Sequence, residues 1–143
     1  SESNPNLCST CFGFIAQHRG GAEIDVTMLF ADIRGSTSLA ERMSPGEYRR
    51  LLDRFYGATR VVFEHDGTVD KFVGDEIVAM FFPLLTGERH AARGIEAARA
   101  LLRSVGHGAP DGPWVPVGAG VHTGPSWFGA RAPTSSSRQS GMA

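Results

Sequence analysis

The sequence predicts an α+β domain, an antiparallel sheet with helices packed on one face, and three observations carry that expectation. Apolar runs of strand length, rich in β-branched and aromatic residues, stand at residues 25–33, 68–73, 77–82 and 115–122. Two longer stretches between them repeat apolar residues every three or four positions, the period of an amphipathic helix. The middle pair of strand runs turns around Gly74-Asp75, a two-residue hairpin signal. The order strand, helix, strand, strand, helix, strand is the ferredoxin-like βαββαβ, or palm-type, arrangement. That topology sets the first strand centrally, beside the third.

Residues 25–33 read as a strand buried on both faces, because the run is apolar throughout its middle. Residues 36–43 begin helical structure after the Gly-Ser-Thr turn. A stronger helix start follows at Ser44-Pro45-Gly46-Glu47, with an N-cap serine, proline at the first helical position and glutamate placed to close a capping box. From there Tyr48, Leu51, Leu52, Phe55, Thr59, Val62 and Phe63 form one stripe on a helix of about five turns, ended by Gly67. After the hairpin, residues 83–87 are expected to be a loop. Over residues 88–105, Ala91, Ile95, Ala98, Leu102 and Val105 share a helical face while Arg89, Arg93, Arg99 and Arg103 fall elsewhere. Gly94 within that helix costs about 1 kcal/mol relative to alanine. Residues 106–113 form a flexible loop before the fourth strand.

The chain of 143 residues, with 41% hydrophobic and 20% charged residues, has the length and composition of one globular domain. A net charge of −1 gives no footing for a nucleic-acid binder or a basic membrane-surface module. No apolar run approaches the roughly 20 residues of a membrane span, and the expected location is cytoplasmic. Three parts are expected: a linker or docking segment over residues 1–22, the domain over 23–129, and an unstructured tail over 130–143. Cys8 and Cys11 make a C-x-x-C before the domain, half of a structural zinc set. A pair of linker thiols, a zinc shared between chains and a redox pair all remain open for them.

The chemistry is expected at Asp32, where the first strand passes into Arg34-Gly35-Ser36-Thr37, and at Asp75 in the hairpin turn. If the first and third strands are antiparallel neighbours, the end of one meets the start of the other and the two aspartates face a common point. Two carboxylates that close repel unless a cation lies between them or one takes a proton. A hard divalent cation suits such oxygen ligands and is typically held by one or two carboxylates plus substrate phosphates. The turn before the helix offers backbone N–H groups to those phosphates. Phosphoryl or nucleotidyl transfer is the chemistry this pattern favours. The plainer alternative makes Asp32 a helix cap and Asp75 a turn residue.

FADIRGST at residues 30–37, DKFVGDEI at 70–77 and VGAGVHTG at 117–124 together resemble the catalytic domain of the class III adenylate/guanylate cyclases. The resemblance covers about residues 25–129. It implies a 3′,5′-cyclic nucleotide, cyclic AMP from ATP in the first reading, made with release of pyrophosphate for intracellular signalling. It further implies a two-metal site for Mg²⁺ or Mn²⁺, held by Asp32, Asp75 and the backbone carbonyl of Ile33. One cation would activate the ribose 3′-hydroxyl and the other would hold the triphosphate. By the same resemblance Lys71 aligns with the purine-selecting lysine, which favours ATP over GTP, and Gly35, Ser36 and Thr37 present N–H groups to the phosphates. Arg34 would assist them or lie on the surface, and His122 and Thr123 are structural. A head-to-tail homodimer is implied, with metals held by one protomer and purine contacts given by the other.

After Gly129 the sequence departs from the family pattern, and the expected asparagine and arginine motif is missing. The expectation is a chain cut short, by a reading-frame slip near Ala130. Two other readings stand beside the cyclase: a catalytically inactive cyclase-homology module that regulates or dimerises, and a diguanylate cyclase, whose turn VGDEI resembles. Against the latter, Arg34 occupies the place of that family's second acidic residue after Asp32.

Overall fold

The computed structural model describes residues 21–128. Residues 1–20 of the expected linker, with Cys8 and Cys11, and all of the expected tail over 130–143 lie outside the described residues. In chain order the elements are β1 (Ala22–Ile33), α1 (Ser36–Arg42), α2 (Pro45–Ala58), α3 (Val61–Glu64), β2 (Thr68–Val73), β3 (Glu76–Phe81), α4 (Pro83–Thr86), a 3₁₀ turn (Gly87–Arg89), α5 (His90–Ser104) and β4 (Val117–Phe128). The contacts discussed below all lie within the compact body Asp25–Ser126. The remaining described residues, 21–24 and 127–128, group separately.

The sheet runs β2-β3-β1-β4, with β1 antiparallel to β3 and β2 antiparallel to β3. This is the expected ferredoxin-like order, with the first strand beside the third. Alternate residues of β1, namely Leu29, Ala31 and Ile33, join Ile77, Ala79 and Phe81 of β3 in one core with Phe55, Val62, Ala97, Leu101 and Val105. The opposite face is more open, since Phe30 is 40% exposed. The expectation of a first strand buried on both faces therefore fails. Helices cover one face only, and the apolar Phe30 belongs to the other.

The helix start at Ser44 is as the sequence foretold. Glu47 N–H donates to Ser44 Oγ at 3.3 Å and Ser44 N–H to a Glu47 carboxylate oxygen at 2.8 Å. These bonds, the backbone one first, hold the Glu47 carboxyl below its usual range. The five-turn helix, in contrast, is broken. Thr59 Oγ1 donates to Tyr56 O at 2.7 Å, and Arg60, Val62 and Phe63 N–H groups bond three residues back, to Gly57, Thr59 and Arg60. A hydroxyl competing for a helix carbonyl tightens and bends the backbone, so α2 ends and α3 restarts. Phe63, assigned to the buried stripe, is 56% exposed.

Gly67 closes the helical segment as expected, with the left-handed conformation taken by the residue before it. The left-handed residue after α3 is Asp66, at φ 61°, and Gly67 N–H closes the end on Val62 O at 2.9 Å. Gly67 is required for space: a Cβ there would meet Phe81 Cε1 at 2.6 Å and Val62 Cγ1 at 2.7 Å. Residues 83–87, expected as a loop, include the helical turn α4, which starts at Pro83 and is tied by Thr86 Oγ1 donating to Phe82 O at 2.9 Å.

The buried face of α5 is rotated from the expected one. Gly94, Ala97, Ala98 and Leu101 are its buried residues, while Ile95 is 46% exposed. Small residues on this stripe let the helix come close to Thr27, itself fully buried. Thr27 Oγ1 is bonded to His90 Nδ1 and to Thr123 Oγ1, each at 2.8 Å, which fits the structural role expected of Thr123. A Cβ on Gly94 would sit 2.6 Å from Thr27 Cγ2. Gly94→Ala is therefore expected to destabilise the domain by about 1–3 kcal/mol despite the better helix propensity of alanine. Thr27→Ser removes that methyl and keeps the hydroxyl, so the double variant should recover most of the loss in a denaturant titration.

Candidate functional site

Residues directly opposite one another in an antiparallel pair share a face, and the register fixes who faces whom. Asp32 stands opposite Glu76 and Phe30 opposite Val78. On the other side of β3, Val73 is opposite Glu76 and Lys71 opposite Val78. Lys71 reaches this row because the pairing slips by one residue between Val69 and Lys71, a bulge at Asp70. Val69 before the bulge faces the core, and Lys71 after it shares the open face with Asp32 and Glu76.

That face carries a cavity of about 300 Å³ lined by Phe30, Ala31, Asp32, Arg34, Glu76 and the strand segment Gly118, Ala119 and Gly120. The Asp32 side chain is 50% exposed and its carboxylate lies 3.6 Å from Arg34 Nε. Arg34 N–H donates to Pro116 O at 2.8 Å, anchoring the backbone of the turn to the approach of β4. Its guanidinium rests over Gly118, where a Cβ would come within 2.2 Å of Nε and 2.6 Å of Nη2. Gly35, at φ 66°, makes the left-handed turn that brings the chain into α1. Ser36 and Thr37 occupy the first turn of α1, where backbone N–H groups lack helical partners.

Asp75 sits in the hairpin turn beside this cavity but is not among the residues that line it. Gly74 alone of the two turn residues has positive φ, at 60°, as in a type II′ turn. The backbone there is held from two sides. Ile33 N–H donates to Asp75 O at 3.1 Å, and the Tyr56 hydroxyl of α2 donates to Gly74 O. The Tyr56 ring also packs on Phe72 with centroids 4.6 Å apart. Burial, its largest cause, pushes the Tyr56 hydroxyl above its ordinary range and keeps it a donor.

The strand ends thus meet as the sequence foretold, with Asp32 and the turn of Asp75 adjacent through the backbone. The residue directly across from Asp32 is Glu76. Sequence reasoning passed over Glu76, although two-residue alternation back from Val78 marks it as the acid on the open face. It also missed the berth of Arg34 on Gly118, for which no local pattern exists. His122 is exposed and outside the cavity lining.

No group of three or more His, Cys, Asp or Glu side chains suited to a metal occurs among the described residues. The donors present are hard oxygens, Asp32 and Glu76 on the cavity with Asp75 beside them. A pair of carboxylates with room beside it fits Mg²⁺ or Mn²⁺, which take few protein ligands and complete their shell with water and phosphate. The pair does not fit a soft thiophilic metal.

A four-stranded antiparallel sheet in the order 2-3-1-4, carrying carboxylates at the meeting point of its two central strands, defines a palm-type domain. The chain belongs to the family of adenylate and guanylate cyclase catalytic domains, whose family model matches residues 21–135. It is 36% identical to an adenylate cyclase of Anabaena cylindrica over 104 residues, 69% of this chain and 21% of that protein. Among solved structures, the guanylyl cyclase Cya2 superposes with a TM-score of 0.62 at 29% identity, covering 78% of this chain and 61% of that one. The adenylyl cyclase CyaB from P. aeruginosa gives a TM-score of 0.64 at 24% identity, covering 77% and 62%, and shares the fold. This chain therefore spans about a fifth of the length of the Anabaena relative. Divalent metals serve the family generally. No described helix is long and apolar enough to cross a membrane.

Proposed function

We propose that this domain converts a purine nucleoside triphosphate, ATP in the first instance, to its 3′,5′-cyclic monophosphate and pyrophosphate. The observation that carries the reading is the register of β1 on β3, which brings Asp32 to the hairpin turn of Asp75 at the edge of an open, polar cavity. Asp32 and Asp75, with the Ile33 carbonyl, would hold two divalent cations, Mg²⁺ or Mn²⁺. When bound, these ions neutralise the triphosphate and favour ionisation of the ribose 3′-hydroxyl. The 3′-oxygen then attacks the α-phosphorus and pyrophosphate departs.

The chain's own groups orient the reactants. Backbone N–H groups of Gly35, Ser36 and Thr37 receive the outer phosphates, and Lys71, on the same sheet face, reads the purine edge and favours adenine. Support for ATP comes from the name of the Anabaena relative, while the Cya2 likeness keeps GTP as the second substrate. The cavity is open on the sheet face, and a second copy set head to tail would supply the missing wall. A cytoplasmic location goes with this reading.

The test is product analysis with ATP or GTP and Mn²⁺. A cyclic mononucleotide with stoichiometric pyrophosphate supports the proposal, and a cyclic dinucleotide from GTP would replace it with the diguanylate reading. Nucleotide bound without turnover would make the domain the inactive regulatory module.

A further inference from the structure

Arg34 is the one cationic side chain among the residues lining the cavity, and the fold makes a particular place for it. Its backbone is fixed through the bond to Pro116 O, its guanidinium lies across a stretch of β4 bare of side chain at Gly118, and its Nε is 3.6 Å from Asp32. Any side chain at position 118 would collide with the guanidinium. A planar fork held beside a carboxylate in an open cavity has two uses. It is the counter-ion of that carboxylate when nothing else is bound, and it is a ready partner for phosphate oxygens.

We propose that Arg34 is an exchangeable counter-ion that couples metal loading to phosphate loading. This rests on the cyclase reading of Asp32. Without ligand, Arg34 pairs with Asp32 and opposes entry of a dication, through both charge repulsion and competition for the same oxygens. When a polyphosphate enters, Arg34 turns from Asp32 to the phosphate oxygens and frees the carboxylate. Each ligand then raises the affinity of the other, because both favour the arrangement in which Arg34 has left Asp32. Arg34 is on this account a positioning and coupling residue, and no covalent step passes through it.

The experiment measures Mn²⁺ binding by electron paramagnetic resonance, with and without inorganic tripolyphosphate, and requires no turnover. Arg34→Gln is expected to bind Mn²⁺ alone about fivefold more tightly, the factor corresponding to one water-screened charge contact near 4 Å. It should also bind tripolyphosphate more weakly and lose most of the mutual enhancement between the two. Gly118→Ala should reproduce the Mn²⁺ effect with Arg34 intact. The atoms it displaces are the far end of a flexible side chain, so it should fold normally, which circular dichroism checks. Asp32→Asn separates the two ideas. If wild type binds Mn²⁺ and Asp32→Asn does not, the site is right, and unchanged affinities in Arg34→Gln and Gly118→Ala overturn the coupling. If wild-type binding is absent or indifferent to Asp32, both the site assignment and the coupling fall.

Discussion

Asp32→Asn is expected to remove metal-dependent nucleotide turnover, lowering the rate by at least about 10²–10³-fold, the loss typical of one preorganised charge-stabilising group. The substitution keeps the shape of the side chain and removes the charge that would hold a dication. Since the Asp32 side chain is half exposed and its one ion pair is a surface contact, stability should change by no more than about 0.5 kcal/mol. Asp75→Asn should produce a loss of similar size, because both acids are assigned to the same pair of cations. Rate and unfolding midpoint measured on the same preparations decide the matter. An Asp32→Asn protein that is equally stable and retains more than a tenth of its turnover would falsify the assignment. Glu76→Gln belongs in the same series, since Glu76 is the acid directly across from Asp32. A larger loss there than at Asp75 would move the second metal-binding role one residue along the chain.

Phe81→Ala is the change expected to cost the most stability, about 3–5 kcal/mol. The ring is fully buried and is bounded on separate sides by two glycines. A Cβ on Gly67 would overlap Cε1, and one on Gly94 would stand 3.5 Å from Cδ2. Glycines cannot extend to refill the space, so the cavity would persist and the cost should fall toward the upper end of that range. For a domain of this size the thermal midpoint should drop on the order of 15 °C, a large share of the stability of an ordinary domain. A drop of only a few degrees in calorimetry would show that neighbouring segments collapse onto the gap. The aromatic ring would then be filler at that position, with no part in fixing the spacing of α5 and the α3 end over the sheet.

The order of strands and helices was legible because each hydrophobic period is local, and so was the helix start at Ser44, whose cap is written in four consecutive residues. The meeting of Asp32 with the Asp75 turn was legible through topology alone. What escaped reading depends on contacts made at a distance. The break after Ala58 turns on which carbonyl the Thr59 hydroxyl selects, which no periodicity reveals. The rotation of α5 onto Gly94 and Ala97 follows from the closeness of Thr27, 67 positions before Gly94 in the chain. Glu76 was hidden by the attention a Gly-Asp turn draws to its aspartate, and Arg34 by the absence of any signal linking it to a glycine on a distant strand.

The surplus residue at position 70 bears on how this chain can tolerate changes in length. Because Val69 pairs with Ala79 and Lys71 with Val78, a version lacking Asp70 would close the gap in the ladder and leave the lysine pointing where it does now. Loss of either Phe72 or Val73, with the hairpin tip still pinned, would instead roll the lysine over toward the helices. Given the proposed role of Lys71, deletions two or three codons apart should thus have opposite fates, one silent for nucleotide selection and the other ruinous.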